Sequence, residues 1–143
     1  MESTLAIIKP DAVARGRVGP VLARLEEEGF RIRAMRMLRL NVDQAQAFYA
    51  VHRGKPFFAS LVDFMTSGPI VAMALEHDDA VARLREVIGA TDPAAAKPGT
   101  IRALYAESKQ RNTIHASDSP ENATRELAFF FSTVDLPSLE GVS

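Results

Sequence analysis

The segment from Arg111 to Ser119 holds the side chains of this sequence that are best suited to chemistry. A histidine, an amide, a carboxylate, a guanidinium and hydroxyl groups follow one another within one short run. A helix start comes next, because Ser119 is a favoured N-cap residue and Pro120 suits the first helical position. His115 would thus lie beside a helix N-terminus, which favours anions, and could act there as a nucleophile or a base. The alternative is a structural or surface histidine; the polar residues around His115 favour chemistry.

Composition narrows the class of protein. A chain of 143 residues is long enough to bury a core and fits one domain, residues 1–143. The net charge of −1 gives no reason to expect a broad nucleic-acid or membrane surface. The absence of cysteine excludes disulfides, thiolate catalysis and cysteine zinc sites. No basic region precedes the first apolar run and no run could span a bilayer, so we expect a cytoplasmic protein.

The first strand is predicted at Leu5–Ile8, an apolar run that Lys9 and Pro10 bring to an end. Lys9 would then lie at the C-terminal end of a strand, where ligands often bind, although a lysine there can also be just a solvated charge. A helix follows and stops at Gly29. Its inner face would consist of apolar residues at helical spacing: Val18, Val21, Leu22 and Leu25.

A long second strand is predicted from Phe30 to Leu40. Its even positions are apolar except for Arg36, so they would form the core face. We expect the other face to be partly covered, for instance by a neighbouring subunit; its arginines could bind anions or be solvated. That face carries Arg31, Arg33, Met35, Met37 and Arg39.

Two short helices are predicted next. Asp43 would cap the first, which runs through His52, with Gln46 completing the cap. Pro56 would open the second. Phe57 lies off its apolar stripe and could be a lid on the core or a surface plate for stacking. The stripe consists of Phe58, Leu61, Val62 and Met65.

The segment Ile70–Leu75 is continuously apolar, which indicates a central strand buried on both faces. Asp78 or Asp79 would cap the following helix, which Gly89 ends. Arg85 falls in its last turn, a favourable place for a cation whatever its function. The inner face would carry Val81, Leu84, Val87 and Ile88.

The connection from Ala90 to Asn112 is long and irregular, as functional loops often are. A short helix at Ile101–Tyr105 is predicted within it. A strand at Thr113–Ala116 would place Thr113 and His115 on one face. The loop carries groups that can hold phosphate: Thr91, Lys97, Arg102, Lys109 and Arg111.

The last helix is predicted at Pro120–Phe130, with Glu126 beside its inner stripe, and the tail from Leu136 to Ser143 is predicted to be loosely ordered. With the short helical insert set aside, the order of elements is βαββαβ. This order predicts an α+β sandwich of the ferredoxin-like type, with a four-stranded antiparallel sheet and helices on one face. The other face would need cover from helices or from a neighbouring subunit.

Several motifs resemble those of the nucleoside diphosphate kinase family in order and spacing. Ile8–Asp11 resembles the family's I-K-P-D opening. Arg53–Phe58 and Met65–Pro69 resemble its P-F-F and S-G-P segments, and Lys97–Arg102 resembles its K-P-G-T-I-R loop. Asn112–Ser119 resembles the signature N-x-x-H-[GA]-S-D-S. The resemblance covers essentially the whole chain.

The resemblance implies a role for the central histidine and its neighbours. His115 would accept the phosphoryl group. Glu126, with Ser117, would orient its imidazole, and Tyr49 would place its hydroxyl near the transferred phosphate.

The resemblance also implies a nucleotide site. Lys9 and Asn112 would contact the ribose hydroxyls and nearby phosphate oxygens, and Phe57 would stack on the base. The distal phosphates would be held by Arg85, Thr91 and Arg102. The departures from the family pattern lie elsewhere, at Ala12, Gly54, Leu104 and Ala116. Leu104 stands where many members carry an aspartate, and leucine cannot make the salt bridge that an aspartate could make in that loop.

The activity implied is transfer of the γ-phosphoryl group of a nucleoside triphosphate to a nucleoside diphosphate, in ping-pong steps through a phosphohistidine at His115. Mg²⁺ would be bound through the nucleotide phosphates, without direct protein ligands. We expect a homo-oligomer, a tetramer or a hexamer, that binds neither membranes nor nucleic acid stably. The short C-terminus resembles that of bacterial members. Two alternatives stay open: a nucleotide-binding regulatory module without turnover, and a phosphohistidine carrier or protein histidine kinase.

Overall fold

The computed structural model describes residues 1–139. Four strands and seven α-helices make up its regular structure, with short 3-10 turns between some of them. In chain order they are β1 (Glu2–Ile8), α1 (Pro10–Ala14), α2 (Val18–Glu27), β2 (Arg31–Leu38), α3 (Val42–Phe48), α4 (Phe58–Met65), β3 (Ile70–His77), α5 (Ala80–Ile88), α6 (Ile101–Tyr105), β4 (Ile114–Ala116) and α7 (Pro120–Phe130).

The four strands form one sheet in the order β2-β3-β1-β4. Each neighbouring pair is antiparallel, and α2 and α5 make the connections of the two βαβ halves. The predicted ferredoxin-like α+β class is confirmed. In the β1–β4 pairing, Ile7 lies opposite His115, so the short edge strand β4 fixes the histidine to the central strand.

The core lies on both sides of the sheet. On one side, Leu5 and Ile7 pack against α3, α4 and α7. On the other, Ala6 and Ile8 pack against α2, α5 and α6. Helices thus lie on both faces rather than on one, and this chain's own α3, α4 and α7 provide the second cover that the sheet needs.

The face assignment predicted for the second strand is wrong because β2 contains a bulge. The pairing of β2 with β3 shifts register between Ile32 and Ala34. Ile32 therefore packs in one core cluster, whereas Ala34 and Leu38 pack in the other. An extra residue in one strand reverses which face the following side chains reach, so the even positions do not share a face.

The arginines of β2 hold the C-terminal segment. Arg31 donates to the carbonyl of Leu139 at 3.0 Å. Arg33 donates to the carbonyls of Pro137 and Leu136, each at 2.8 Å. The described part of the tail, up to Leu139, has no helix or strand after residue 136, yet these hydrogen bonds attach it to β2; residues 140–143 lie outside the described residues.

Two of the predicted helix starts are also corrected. Asn41, not Asp43, caps α3: its side chain accepts from the Gln44 N–H, and the Gln44 side chain accepts from the Asn41 N–H. This reciprocal pair satisfies two otherwise unpaired donors, as in a capping box. Phe57, not Pro56, precedes the first residue of α4. By contrast, Ser119 caps α7 as predicted, accepting from the Asn122 N–H at 3.1 Å.

Candidate active site

His115 follows a tight turn rather than a longer strand. Thr113 has a φ of +75°, and the Ile114 N–H donates to the Asn112 carbonyl at 2.8 Å. These are the marks of a γ-turn with positive φ. The predicted strand at Thr113–Ala116 thus begins one residue later, and Thr113 does not share a strand face with His115.

His115 and Glu126 form the centre of the site. Nε2 of His115 lies 2.8 Å from Oε1 of Glu126, and the Ser117 hydroxyl donates to the same oxygen at 2.8 Å. Burial raises the pKa of Glu126, but the hydrogen bonds from His115 and Ser117 and the charge of His115 outweigh it, so the pKa lies below its ordinary value. An ionised Glu126 must receive a hydrogen from Nε2, which leaves the lone pair of Nδ1 as the free nucleophilic position of the ring.

Aromatic rings surround the imidazole. The ring of Phe48 lies edge-on to that of His115 at a centroid distance of 5.5 Å, and the ring of Tyr49 is perpendicular to it at 6.3 Å. The Tyr49 hydroxyl is buried without a hydrogen-bond partner in the described part of the chain. Burial and the charge of Glu126 raise the pKa of Tyr49 well above its ordinary value. Tyr49 thus remains a neutral phenol that can donate to an incoming anion.

Lys9 places a buried cation beside the turn. Its Nζ donates to Oδ1 of Asn112 at 2.7 Å, and Nδ2 of Asn112 donates to the Thr91 carbonyl at 3.2 Å. Burial and the nearby charge of Arg102 lower the pKa of Lys9 to about 8. Three segments that are distant in sequence, at positions 9, 91 and 112, therefore meet at one point.

Arg102, which the sequence analysis assigned to phosphate, also donates hydrogen bonds to the backbone of this chain. Its two terminal nitrogens donate to the carbonyls of Gly89, at 3.0 Å, and Ile114, at 2.7 Å. Its Nε is buried and has no partner among the described residues. Burial and the charge of Arg85 lower the pKa of Arg102 to about 10, so it stays a cation at neutral pH. Arg102 therefore supports β4 and keeps an N–H unused.

Phe57 lies at the rim of the site and is 49% exposed. The ring of His52 lies 5.2 Å from it, and Nζ of Lys55 lies 5.7 Å from its centroid. Burial, together with the charges of Lys55 and His115, lowers the pKa of His52, so its ring is neutral at pH 7. A broad aromatic surface is therefore available to a flat ligand.

These groups line one cleft of about 640 Å³, called here the active-site cleft. The predicted site residues line it except Ser117, which is buried behind it and bonds Glu126. The members are Lys9, Tyr49, Phe57, Arg85, Thr91, Arg102, Asn112, His115 and Glu126.

The cleft also contains residues that the sequence did not single out as site residues. Asp118 and Asn122 are examples: Nδ2 of Asn122 donates to the Asp118 carboxylate, and this bond helps to keep the pKa of Asp118 low. Asp118 belongs to the signature segment Asn112–Ser119, and its closeness to His115 in the sequence could have marked it as a cleft residue. The other polar ones are His52, Gln110 and Arg125, and Lys109, named above as a group that can hold phosphate, lines the cleft as well. A cationic cleft with a histidine–carboxylate pair at its floor defines a protein suited to phosphoryl transfer through a histidine.

Comparison with known proteins identifies the family. The family model described as nucleoside diphosphate kinase matches residues 2–136. A nucleoside diphosphate kinase of Chlamydia abortus is 56% identical over 136 residues, which is 95% of this chain and 96% of that protein. One of Nitratiruptor sp. is 57% identical over 131 residues, 92% of this chain and 96% of that protein.

Solved structures support the same family assignment. The nucleoside diphosphate kinase of Aquifex aeolicus superimposes with a TM-score of 0.93 at 49% identity, covering 95% of this chain and 99% of that one. The nucleoside diphosphate kinase of Halobacterium salinarum, solved in complex with CDP, superimposes with a TM-score of 0.92 at 41% identity, covering 96% of this chain and 91% of that one. This chain belongs to the nucleoside diphosphate kinase family. It is a phosphotransferase that moves a γ-phosphoryl group from a nucleoside triphosphate to a nucleoside diphosphate.

Proposed function

We propose that Nδ1 of His115 is the atom that accepts the phosphoryl group. The observation that carries this assignment is the hydrogen bond between Nε2 and Glu126, which leaves only Nδ1 with a free lone pair. Nδ1 attacks the γ-phosphorus as the bond to the β-phosphate oxygen breaks, and the departing diphosphate keeps the electron pair. The ring becomes a phosphorylated imidazolium, whose charge Glu126 stabilises. A second nucleoside diphosphate reverses the steps.

We assign the other cleft residues to holding the nucleotide. Lys9 and Arg102 line the cleft as cations that can attract phosphate oxygens, and Tyr49, whose buried hydroxyl has no partner among the described residues, can donate to the phosphoryl group in transit. Arg85 and Thr91 line the cleft beside them and would hold distal phosphates. Phosphoryl transfer requires mainly positioning of the reactants and neutralisation of charge, which the cations and hydrogen-bond donors of the cleft supply.

We infer that Mg²⁺ takes part through the phosphates. The described residues contain no group of three or more histidine, aspartate or glutamate side chains that could hold a metal ion. The cleft offers chiefly cations and amides; of the two carboxylates that line it, Glu126 accepts two hydrogen bonds and Asp118 accepts one from Asn122. Phosphate oxygens are therefore the fitting ligands. The metal would neutralise phosphate charge, while Lys9, Arg85 and Arg102 hold the remaining oxygens.

We further propose a homo-oligomer, a tetramer or a hexamer, in the cytoplasm. Strand β2 is at the edge of the sheet. Met35 and Met37, which alternate along it, are 50% and 61% exposed. An open strand edge with exposed apolar side chains favours association with a second copy. No helix in the described part of the chain is long and apolar enough to cross a membrane.

The experiment is to incubate the purified protein with γ-labelled triphosphate and isolate the labelled chain. We expect one acid-labile, alkali-stable label that His115→Ala abolishes and that added nucleoside diphosphate removes. Label that survives acid or persists in His115→Ala would contradict the assignment. Label that is stable to nucleoside diphosphate but passes to a protein would identify a phosphohistidine carrier, and binding without label would identify a regulatory module.

A further inference from the structure

The backbone just before His115 is strained. Among the described residues other than glycine, Thr113 alone has a positive φ. The γ-turn centred on it is a rare and strained form, and the cost is greater for a β-branched residue such as threonine. The turn therefore needs contacts that hold it in place.

Those contacts come from the opposite end of the chain. The Lys9 N–H donates to the Thr113 carbonyl at 2.8 Å. The Thr113 N–H donates to Oδ2 of Asp11 at 3.0 Å. Both polar backbone groups of the strained residue are thus bound by the two residues that flank Pro10.

Asp11 is an unusual residue to find in this place. It is 1% exposed, and its Oδ1 has no hydrogen-bond partner in the part of the chain that the structure describes. Burying a carboxylate with an unpaired oxygen is costly, and such groups in folded proteins call for an explanation. Among the described residues, the hydrogen bond that the carboxylate accepts comes from Thr113, and its charge also acts on the ammonium of Lys9, whose pKa it raises.

The turn determines where two cleft residues lie. Asn112 precedes Thr113 and binds both Lys9 and the Thr91 carbonyl. His115 follows two residues after Thr113 and bonds Glu126. If Thr113 relaxed to a negative φ, the chain would change direction between Asn112 and His115, and the two side chains would no longer face the same cleft.

We propose that Asp11 is a positioning residue for phosphoryl transfer: its carboxylate holds Thr113 in the positive-φ turn and so places Asn112 and His115 relative to the nucleotide. This inference rests on the proposed role of His115. The competing view is that Asp11 only stabilises α1, because it lies in the first turn of that helix, where a carboxylate is favourable. The two views differ in whether glycine at position 113 should reduce the effect of removing the Asp11 carboxylate: it should do so only if Asp11 acts through the turn.

The test is a double-mutant cycle that combines Asp11→Ala with Thr113→Gly. Glycine adopts positive φ without the cost that threonine bears. Asp11→Ala should lower the single-turnover rate of His115 phosphorylation about 100-fold, since small displacements of reacting groups have effects of that size. Equilibrium binding of nucleoside diphosphate should change much less. In the Thr113→Gly background the same Asp11→Ala change should cost only a small part of that rate.

Two further variants control for stability. Asp11→Asn keeps an oxygen that can accept from Thr113 and should keep most of the rate. Val21→Ala makes a cavity in α2, in a fully buried position, and should lower the melting temperature without altering the rate. Should Asp11→Ala fail to fold, Asp11→Ser leaves a smaller cavity, still withdraws the carboxylate, and enters the same cycle.

The outcomes separate the claims. A folded Asp11→Ala or Asp11→Ser variant with the wild-type rate would overturn the proposal, as would a rate loss of equal size in the threonine and glycine backgrounds. Rescue by glycine, with Asp11→Asn active, supports it. The proposed role of His115 fails independently, if His115→Ala still takes up the label.

Discussion

Nζ of Lys9 donates to Oδ1 of Asn112 at 2.7 Å, although the two residues are 103 positions apart in the sequence. The contact joins the end of β1 to the turn that precedes β4. It also draws a lysine out of water, and burial, with the charge of Arg102, lowers the pKa of Lys9 to about 8. A cation assigned to phosphate binding thus titrates close to neutral pH.

We therefore expect kcat/KM to fall as the pH rises through about 8. Protonated Lys9 attracts the phosphates below that pH, and the neutral amine does not attract them above it; kcat/KM reports the free enzyme. The measurement is a pH profile of the wild type and of Lys9→Arg, whose guanidinium stays charged. The alkaline fall should be absent or shifted upwards in Lys9→Arg. An identical fall in both proteins would assign it to another group.

The same shift affects stability, with a sign that can be checked. Because the folded state lowers the pKa of Lys9 from 10.5 to about 8, the charged lysine costs the folded state free energy below pH 8. That cost diminishes as the pH rises from 8 towards 10.5. Lys9→Met removes this one group, so the stability of the wild type relative to Lys9→Met should rise over that interval, measured by urea unfolding. A constant difference would show that Lys9 is not perturbed.

Glu126→Gln tests the carboxylate behind His115. Glutamine retains a hydrogen-bonding side chain but cannot stabilise the imidazolium that forms on phosphorylation, so we expect kcat to fall on the order of 10²-fold. Ser117→Ala removes one donor to the same oxygen and should have a smaller effect. Stopped-flow measurement of each half-reaction gives these values, and unchanged rates in Glu126→Gln would refute the assignment.

Glu126 also links stability to acid pH. Its pKa in the folded protein lies below the ordinary value of 4.5. The ionised carboxylate therefore stabilises the fold above 4.5, and this contribution is lost as the pH falls through the lower folded value. Thermal melts of the wild type and Glu126→Gln should accordingly converge below pH 4.5.

Phe57→Ala should weaken binding of all nucleoside diphosphates together, by about 1–3 kcal/mol, because every base presents a face for stacking. The melting temperature should change little, since Phe57 is 49% exposed. Phe64→Ala, in the helix α4 that follows Phe57, removes a side chain that is 8% exposed and should lower stability by about 3–5 kcal/mol. Titration calorimetry with nucleoside diphosphates of several bases measures the affinities, and thermal melts of both variants measure the stabilities. A strong preference of the wild type for one base would exclude recognition by stacking alone.

Light scattering should show the mass of a tetramer or a hexamer, that is, four or six times the 15.6 kDa of one chain. Met37→Asp places a charge on the exposed edge strand and should reduce that mass, because burying an unpaired carboxylate is costly. Val134→Asp is the matched control, an apolar side chain that is 89% exposed outside the sheet, and should leave the mass unchanged. A fully active wild-type monomer at micromolar concentration would contradict the proposed assembly.

Local signals in the sequence determined several elements and the family. Ser119 and Pro120 predicted the start of α7, and the apolar spacing from Val81 to Ile88 predicted the buried face of α5; both are confirmed. Capping and periodicity act over a few neighbouring residues, so they can be recognised without the fold. The motifs around His115 likewise predicted the family, which the comparisons confirm.

Contacts between distant segments were decided only by the tertiary structure. The bulge after Ile32 changes the face of β2, and the Arg102 guanidinium is used by Gly89 and Ile114. The contact of Asp11 with Thr113 spans 102 positions. Strand register and the pairing of buried polar groups depend on which segments pack together, and each such group takes the partner that packing brings within hydrogen-bonding distance.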